Sequence, residues 1–370
     1  MTPEGPPHSV GATACGVDSR MQHRQNLKNF SIEDLRSRFA QDGLPPYRAD
    51  QIAAWLYRRG IDDFAGMTDL GIDLRARLGE AWETRALEVT DLERSQDGTV
   101  KAVLRAADGA EVEAVVIPEE DRTTLCVSTQ VGCAMGCQFC ATGAMGFGRN
   151  LTTAEIIDQV CCMWRVAGEE RRITNVVFMG MGEPLLNLAA VADAVGLLIH
   201  PKAFAMAPRR VTVSTVGVVP KLEELVTRLP VNLAVSLHAT TDAVRDRLVP
   251  LNRQYPLAAL LGKLRELDAV TRRRPVFFEY TLIEGVNDSP EDARRLRPLL
   301  AGIPAKLNLI PMNPHADSPH RPPSAEAIDR FLRIVAGSGL RVTLRRPRGE
   351  DIDAACGQLA LRQAGRALAG

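Results

Sequence analysis

Apolar positions along this chain change their spacing twice. Residues 1 to 28 carry no regular apolar spacing and are expected to be a disordered tail. From Phe30 to about Trp82 the spacing is helical. Ser31 and Asp34 make a capping pair ahead of Leu35 and Phe39, and Ile52, Trp55 and Leu56 share one face of Tyr47–Tyr57. The period then becomes two. Leu87–Leu92, Val100–Leu104 and Val112–Ile117 read as strands divided by Asp97-Gly98 and Asp108-Gly109 turns. From about Thr123, short apolar runs alternate with amphipathic stretches. The strand candidates are Thr124–Ser128, Asn175–Met179, Arg210–Ser214, Asn232–Leu237, Val276–Leu282, Lys306–Ile310 and Arg341–Leu344. Repeated βα units build a parallel sheet with right-handed crossovers, and six units closed part-way round predict an α/β fold, a partial (β/α)6 barrel. The pattern divides the chain into a tail (1–28), an N-terminal helical accessory domain (29–85), a β meander or linker (86–121), a core (122–348) and a C-terminal segment (349–370).

Composition narrows the setting. No apolar run approaches membrane-spanning length and the N-terminus lacks a signal-like apolar core, so a cytoplasmic protein with no membrane partner is expected. Thiols stay reduced there, which makes eight cysteines candidates for metal binding or catalysis rather than for disulfides. With 45 acidic and 45 basic residues the net charge is zero, which argues mildly against a nucleic-acid binder. Arginine nevertheless clusters at Arg58-Arg59, Arg209-Arg210, Arg272-Arg273-Arg274 and Arg345-Arg346 with Arg348. Such clusters suit phosphate, and they equally suit an ordinary solvated face.

The chemistry concentrates after the first core strand. Cys133, Cys137 and Cys140 stand in the run CAMGCQFC. Three thiolates this close can hold three corners of a cubane iron–sulfur cluster and leave the fourth iron open. Structural zinc is the alternative, and it usually takes four protein ligands. In a partial barrel the site belongs at the C-terminal strand ends. Gly182 and Glu183 follow the second strand, Ser214 ends the third, Ser236, Leu237 and His238 end the fourth, and Asn313 follows the sixth. Each alone reads equally well as a turn or cap residue; their shared position makes them cofactor-binding candidates. Cys126 lies on the strand that feeds the cysteine loop, and Cys356 follows an Arg-rich strand near the C-terminus. Cys161 and Cys162 read as small helix hydrophobes and Cys15 falls in the tail. Glu113 shares a strand face with Val115 and Ile117, where burial would raise its pKa; the alternative is a solvent-facing glutamate.

The spacing C-x-x-x-C-x-x-C resembles that of radical S-adenosylmethionine (SAM) enzymes. Within that superfamily, the run LCVSTQVGCAMGCQFCATGAMGFGRNLTTAEI (Leu125–Ile156) and the run RGEDIDAACGQL (Arg348–Leu359) resemble the motifs of the RlmN-type RNA adenine-C2 methyltransferases. The likeness extends from about Phe30 to Leu359. The Cfr-type C8 methyltransferases are close relatives, and both groups keep the two outlying cysteines. A non-catalytic iron–sulfur sensor or RNA-binding protein is the third reading, and it has no use for Cys126, Cys356 or Gly182-Glu183. The resemblance implies a 4Fe–4S cluster on Cys133, Cys137 and Cys140, two SAM per turnover, and a radical SAM core. It implies that Cys356 carries a methyl group which is activated and added to the ring. Cys126 would then release the product as a disulfide with Cys356, and Glu113 would accept the ring proton. It further implies 23S rRNA and tRNA as substrates, a flavodoxin-like electron donor, and a monomer.

Overall fold

The computed structural model describes residues 24–168, 172–315 and 318–361. Its frame is one ten-stranded sheet. Seven strands run parallel in sequence order: Thr123–Cys126, Asn175–Phe178, Val211–Thr215, Asn232–Ser236, Val276–Leu282, Ala305–Pro311 and Arg341–Leu344. Helices between them cover the sheet, and the buried apolar residues of both form one continuous core. This is the α/β partial-barrel architecture that the alternating pattern predicts.

The meander extends that same sheet. Leu87–Arg94, Val100–Ala106 and Glu111–Pro118 pair antiparallel in turn, and the last of them pairs with Thr123–Cys126, placing Val115 opposite Cys126. The stretch expected to be a β meander or linker is thus a meander, and it is hydrogen-bonded to the core through its last strand. Both faces of its third strand are buried, from Val112 to Val116.

The N-terminal unit holds helices at Ile32–Gln41, Tyr47–Arg58 and Ile72–Ala81. Ser31 Oγ accepts the Asp34 amide at 3.0 Å, the cap its sequence predicts. The folded region begins earlier than the apolar spacing suggests. Leu27 and Lys28 are fully buried, although both fall within the expected tail. Lys28 escapes a periodicity reading because its partner is distant: its Nζ pairs with Asp158 on the helix Thr153–Ala167. Asp158 also accepts the amides of Ala86 and Leu87, so one carboxylate ties N-terminal segment, meander and core together. Cys15 and the tail's first 23 positions lie outside the described residues.

Candidate active site

A cavity opens at the C-terminal ends of the parallel strands, where a site belongs in this architecture. Cys133, Cys137 and Cys140 line it together with Gly182, Glu183, Ser214, Ser236, His238, Asn313 and Cys356. These are residues from four strand ends, the cysteine loop and the C-terminal segment. Among the described residues no three His, Cys, Asp or Glu side chains converge on a single ion position. Three thiols lining one cavity without converging suit a multi-iron group better than one zinc ion. Burial pushes all three up, Cys133 to about 11, and Cys133 and Cys140 raise Cys137 further. Neighbouring negative charge of that kind is relieved when iron takes the protons' place.

Local geometry fixes the loop around this cavity. Gly182 has φ +101°, and a Cβ there would sit 2.6 Å from Gln130 Cβ. Glu183 is buried, its two oxygens accepting the amides of Leu185 (3.0 Å) and Val216 (2.9 Å). Burial raises its pKa against those bonds. His238 adopts φ +55° and packs against Phe139 with ring centroids 4.3 Å apart and the planes tilted by 55°. Its Nδ1 accepts the Thr281 amide at 3.0 Å, while burial and the Arg245 charge hold its pKa down near 3. His238 is thus a neutral ring offering Nε2–H. Leu237 is not brought to the cavity: its side chain is fully buried, its amide donates to Glu279 O, and its carbonyl accepts from Arg245. The polar strand end there is supplied by Ser236 and His238 alone.

Cys356 hangs over the cavity on a strap pinned at both sides. Asn313 Nδ2 donates to Cys356 O at 3.0 Å, Gly357 O accepts the Ala141 amide at 2.7 Å, and Thr142 Oγ1 donates to Leu359 O. The thiol is solvent-accessible yet ringed by protein, as in the mouth of a cleft. Cys126 lies behind it, buried, with its pKa pushed up to about 12 by desolvation and by Cys356. Glu113 lies off the cavity wall. It shares a sheet face with Val115 and hence with Cys126, its diagonal neighbour, at a spacing of about 7–8 Å. Its Oε1 is 3.6 Å from Lys101 Nζ, and its Oε2 has no hydrogen-bond partner. Desolvation raises its pKa and Lys101 opposes the rise.

Two charged residues of the cavity wall lie outside the candidates that the sequence offers. Glu279 is buried in the strand Val276–Leu282, with Oε1 bound by Asn308 Nδ2 at 2.8 Å and Oε2 unpartnered. Arg345 approaches Oε1 at 3.7 Å and stood out only as part of an arginine cluster. A lone carboxylate in the apolar run VFFEYTL was the available signal. With Asn313 Oδ1, also unpartnered, Glu279 leaves orphaned polar atoms in the wall. The cavity therefore has both the thiols for an iron–sulfur group and open polar capacity for a zwitterionic ligand such as SAM.

A family model for the radical SAM superfamily matches residues 127–296, and one for the ribosomal RNA large subunit methyltransferase N-terminal domain matches residues 25–83. A dual-specificity RNA methyltransferase RlmN from Geobacter sulfurreducens is 50% identical over 334 residues, 90% of this chain and 91% of the relative. Its counterpart from Marinobacter nauticus is 49% identical over 339 residues, 90% of this chain and 92% of the relative. The crystal structure of a radical SAM methyltransferase from Sphaerobacter thermophilus superposes with a TM-score of 0.87 at 45% identity, covering 90% of this chain and 99% of that one.

Proposed function

The chain belongs to the RlmN family of dual-specificity radical SAM RNA methyltransferases, and on that premise we propose that it methylates C2 of adenosine. Its substrates are 23S rRNA at the peptidyl transferase centre and tRNA in the anticodon loop. C2 is an electron-poor sp2 carbon and a poor nucleophile, so the methyl carbon must be activated before the bond can form. Bound in the cavity, the 4Fe–4S group and SAM supply that methyl group and the one-electron chemistry that activates it.

The chain's residues divide the remaining work. Cys133, Cys137 and Cys140 hold the iron–sulfur group, while Gly182, Glu183, Ser214, Ser236, His238 and Asn313 orient SAM. The Cys356 sulfur accepts the methyl group and presents its carbon to the target ring. Glu113 takes the proton from the methylated ring carbon. Cys126 Sγ then attacks Cys356 Sγ, and the bond from that sulfur to the RNA-borne carbon breaks. The carbon keeps the electron pair and takes a proton to become the methyl group, and an external dithiol must reduce the resulting disulfide before the next turnover. A disulfide needs Cα atoms within about 7 Å, which suits two thiols near enough for Cys356 to raise the pKa of Cys126. The target base must leave its stack to reach the cavity, at a cost of a few kcal/mol. The electron donor is flavodoxin-like and the enzyme acts as a monomer.

The observation that carries this reading is Cys356 in the wall of the three-cysteine cavity with Cys126 buried behind it. Neither a redox sensor nor a zinc module needs that second pair. The test is mass spectrometry of RNA incubated anaerobically with reconstituted protein, SAM and reductant, for wild type and Cys356→Ala. C2-methyladenosine formed by wild type and lost in the variant is expected. The C8 isomer would reassign the regiochemistry, and absence of product from a loaded, SAM-cleaving enzyme would refute the substrate.

A further inference from the structure

Arg245 is the largest fully buried side chain in the described structure, 1% exposed, and the proposed function assigns it no task. Its four hydrogen bonds all go to neutral oxygens. Nε donates to Leu237 O (3.0 Å), Nη1 to Asn252 Oδ1 (2.9 Å), and Nη2 to Val216 O (2.7 Å) and Ser236 O (2.9 Å). A buried guanidinium normally sits against a carboxylate, because an uncompensated charge in the interior is costly. The acidic groups nearest to it, Asp242 and Asp246, are bound instead to the far side of Asn252, through Nδ2. Desolvation is strong enough to bring even this guanidinium down to about 10.

Two of the carbonyls that Arg245 binds belong to Val216 and Ser236, which line the cavity with the three cysteines. The helix that carries it, Asp242–Leu248, ends against the cysteine loop: Gln138 donates its amide to Leu248 O at 3.1 Å, and Cys137 packs on Leu248 and Val249. The arginine's charge bears directly on the Cys137 thiol. A cubane held by three thiolates carries one net negative charge when oxidised. It carries two after accepting one electron from a low-potential one-electron donor. A fixed positive charge in a low-dielectric interior stabilises the second state more than the first.

We infer that Arg245 is a positioning residue for electron transfer: a buried counter-charge behind Cys137 that raises the reduction potential of the iron–sulfur group. This rests on the reading of Cys133, Cys137 and Cys140 as its ligands. The charge makes the cluster easier to reduce, and its place beneath the cavity keeps it clear of SAM and RNA. Binding three rim carbonyls is a separate, structural duty, and the test must tell the two apart.

Spectroscopically monitored redox titration of the anaerobically reconstituted full-length protein does so. Arg245→Gln keeps hydrogen-bonding capacity and removes the charge. Its reduced fraction at fixed potential should fall about tenfold, which is about 59 mV for a one-electron couple. Arg245→Lys keeps the charge and should stay within about threefold of wild type. Arg245→Met also removes the charge and should shift the potential in the same direction as Arg245→Gln. Equal potentials in wild type and Arg245→Gln, each with a full iron complement, would overturn the inference. So would equal shifts in the Gln and Lys variants, which would indicate packing rather than charge. If Arg245→Gln fails to hold iron, Arg245→Met compared with Arg245→Lys decides, and identical potentials there overturn it. A wild-type protein that binds no cluster would overturn the proposed function instead.

Discussion

Two thiols and one carboxylate carry the residue-scale chemistry, and each makes a separable prediction. If Cys126 resolves the bond that joins RNA to Cys356, then Cys126→Ala should let the methyl carbon join the base and stop there. Denaturing gels of such reactions should show RNA attached to protein, absent in Cys126→Ala/Cys356→Ala. Glu113 must be ionised to take a proton. Its folded pKa lies above the ordinary carboxylate value, so single-turnover methylation should rise with pH through that raised value and fall away below it. Lys101 opposes the rise. Removing it in Lys101→Met should push the pKa further up, moving the acid limb towards higher pH. Methyl loading of Cys356, which needs no ring deprotonation, should keep its own profile in the same variant.

At the scale of elements, the sequence betrays what repeats or clusters and hides what is paired over long distances. Strand periods, the Ser31 cap and the CAMGCQFC loop are local, so their spacing was readable. Lys28 was not, because nothing near it announces Asp158, 130 residues away. Glu279 stood in an apolar run that hinted at burial, but its partners Asn308 and Arg345 lie far along the chain. Arg245 escaped for another reason: it sits in the polar run TDAVRDRL, where an arginine reads as solvated, although its partners are near in sequence. The Lys28–Asp158 pair should be the principal staple between the N-terminal segment and the core. Lys28→Met strands a buried carboxylate and should cost about 3–5 kcal/mol, read as a lowered unfolding midpoint. The turn at Gly182 makes a second prediction. A side chain there meets Gln130 at 2.6 Å in a left-handed backbone, so Gly182→Ala should displace Glu183 and weaken SAM binding at least tenfold by calorimetry, with the iron content unchanged.

The whole molecule is electrically neutral, so its grip on RNA depends on where the arginines sit, and strand polarity decides that. Arg209-Arg210 and Arg272-Arg273-Arg274 precede the strands Val211–Thr215 and Val276–Leu282. They lie at N-terminal strand ends, opposite the cavity mouth. Arg274 is moreover spent on the carbonyls of Val231 and Leu229 (2.7 and 2.5 Å), and Arg58 on those of Pro201 and Ala203. The expectation that these clusters clamp phosphate therefore narrows to one. Arg345, Arg346 and Arg348 follow the last parallel strand and emerge on the cavity side. Arg345 faces Glu279 and Arg348 lies 3.8 Å from Asp97, which leaves the exposed Arg346 as the cation best placed for RNA. Arg346→Gln should weaken RNA binding about five- to tenfold at moderate salt and flatten the dependence of log affinity on log salt by about one charge. Arg272→Gln/Arg273→Gln should change neither by more than about twofold, since they lie at the strand ends opposite the cavity mouth. Filter binding across a salt series separates the cases. A flat wild-type salt dependence would dismiss phosphate clamping altogether, and a larger loss from the Arg272/Arg273 pair would mean that RNA wraps the barrel to its far end.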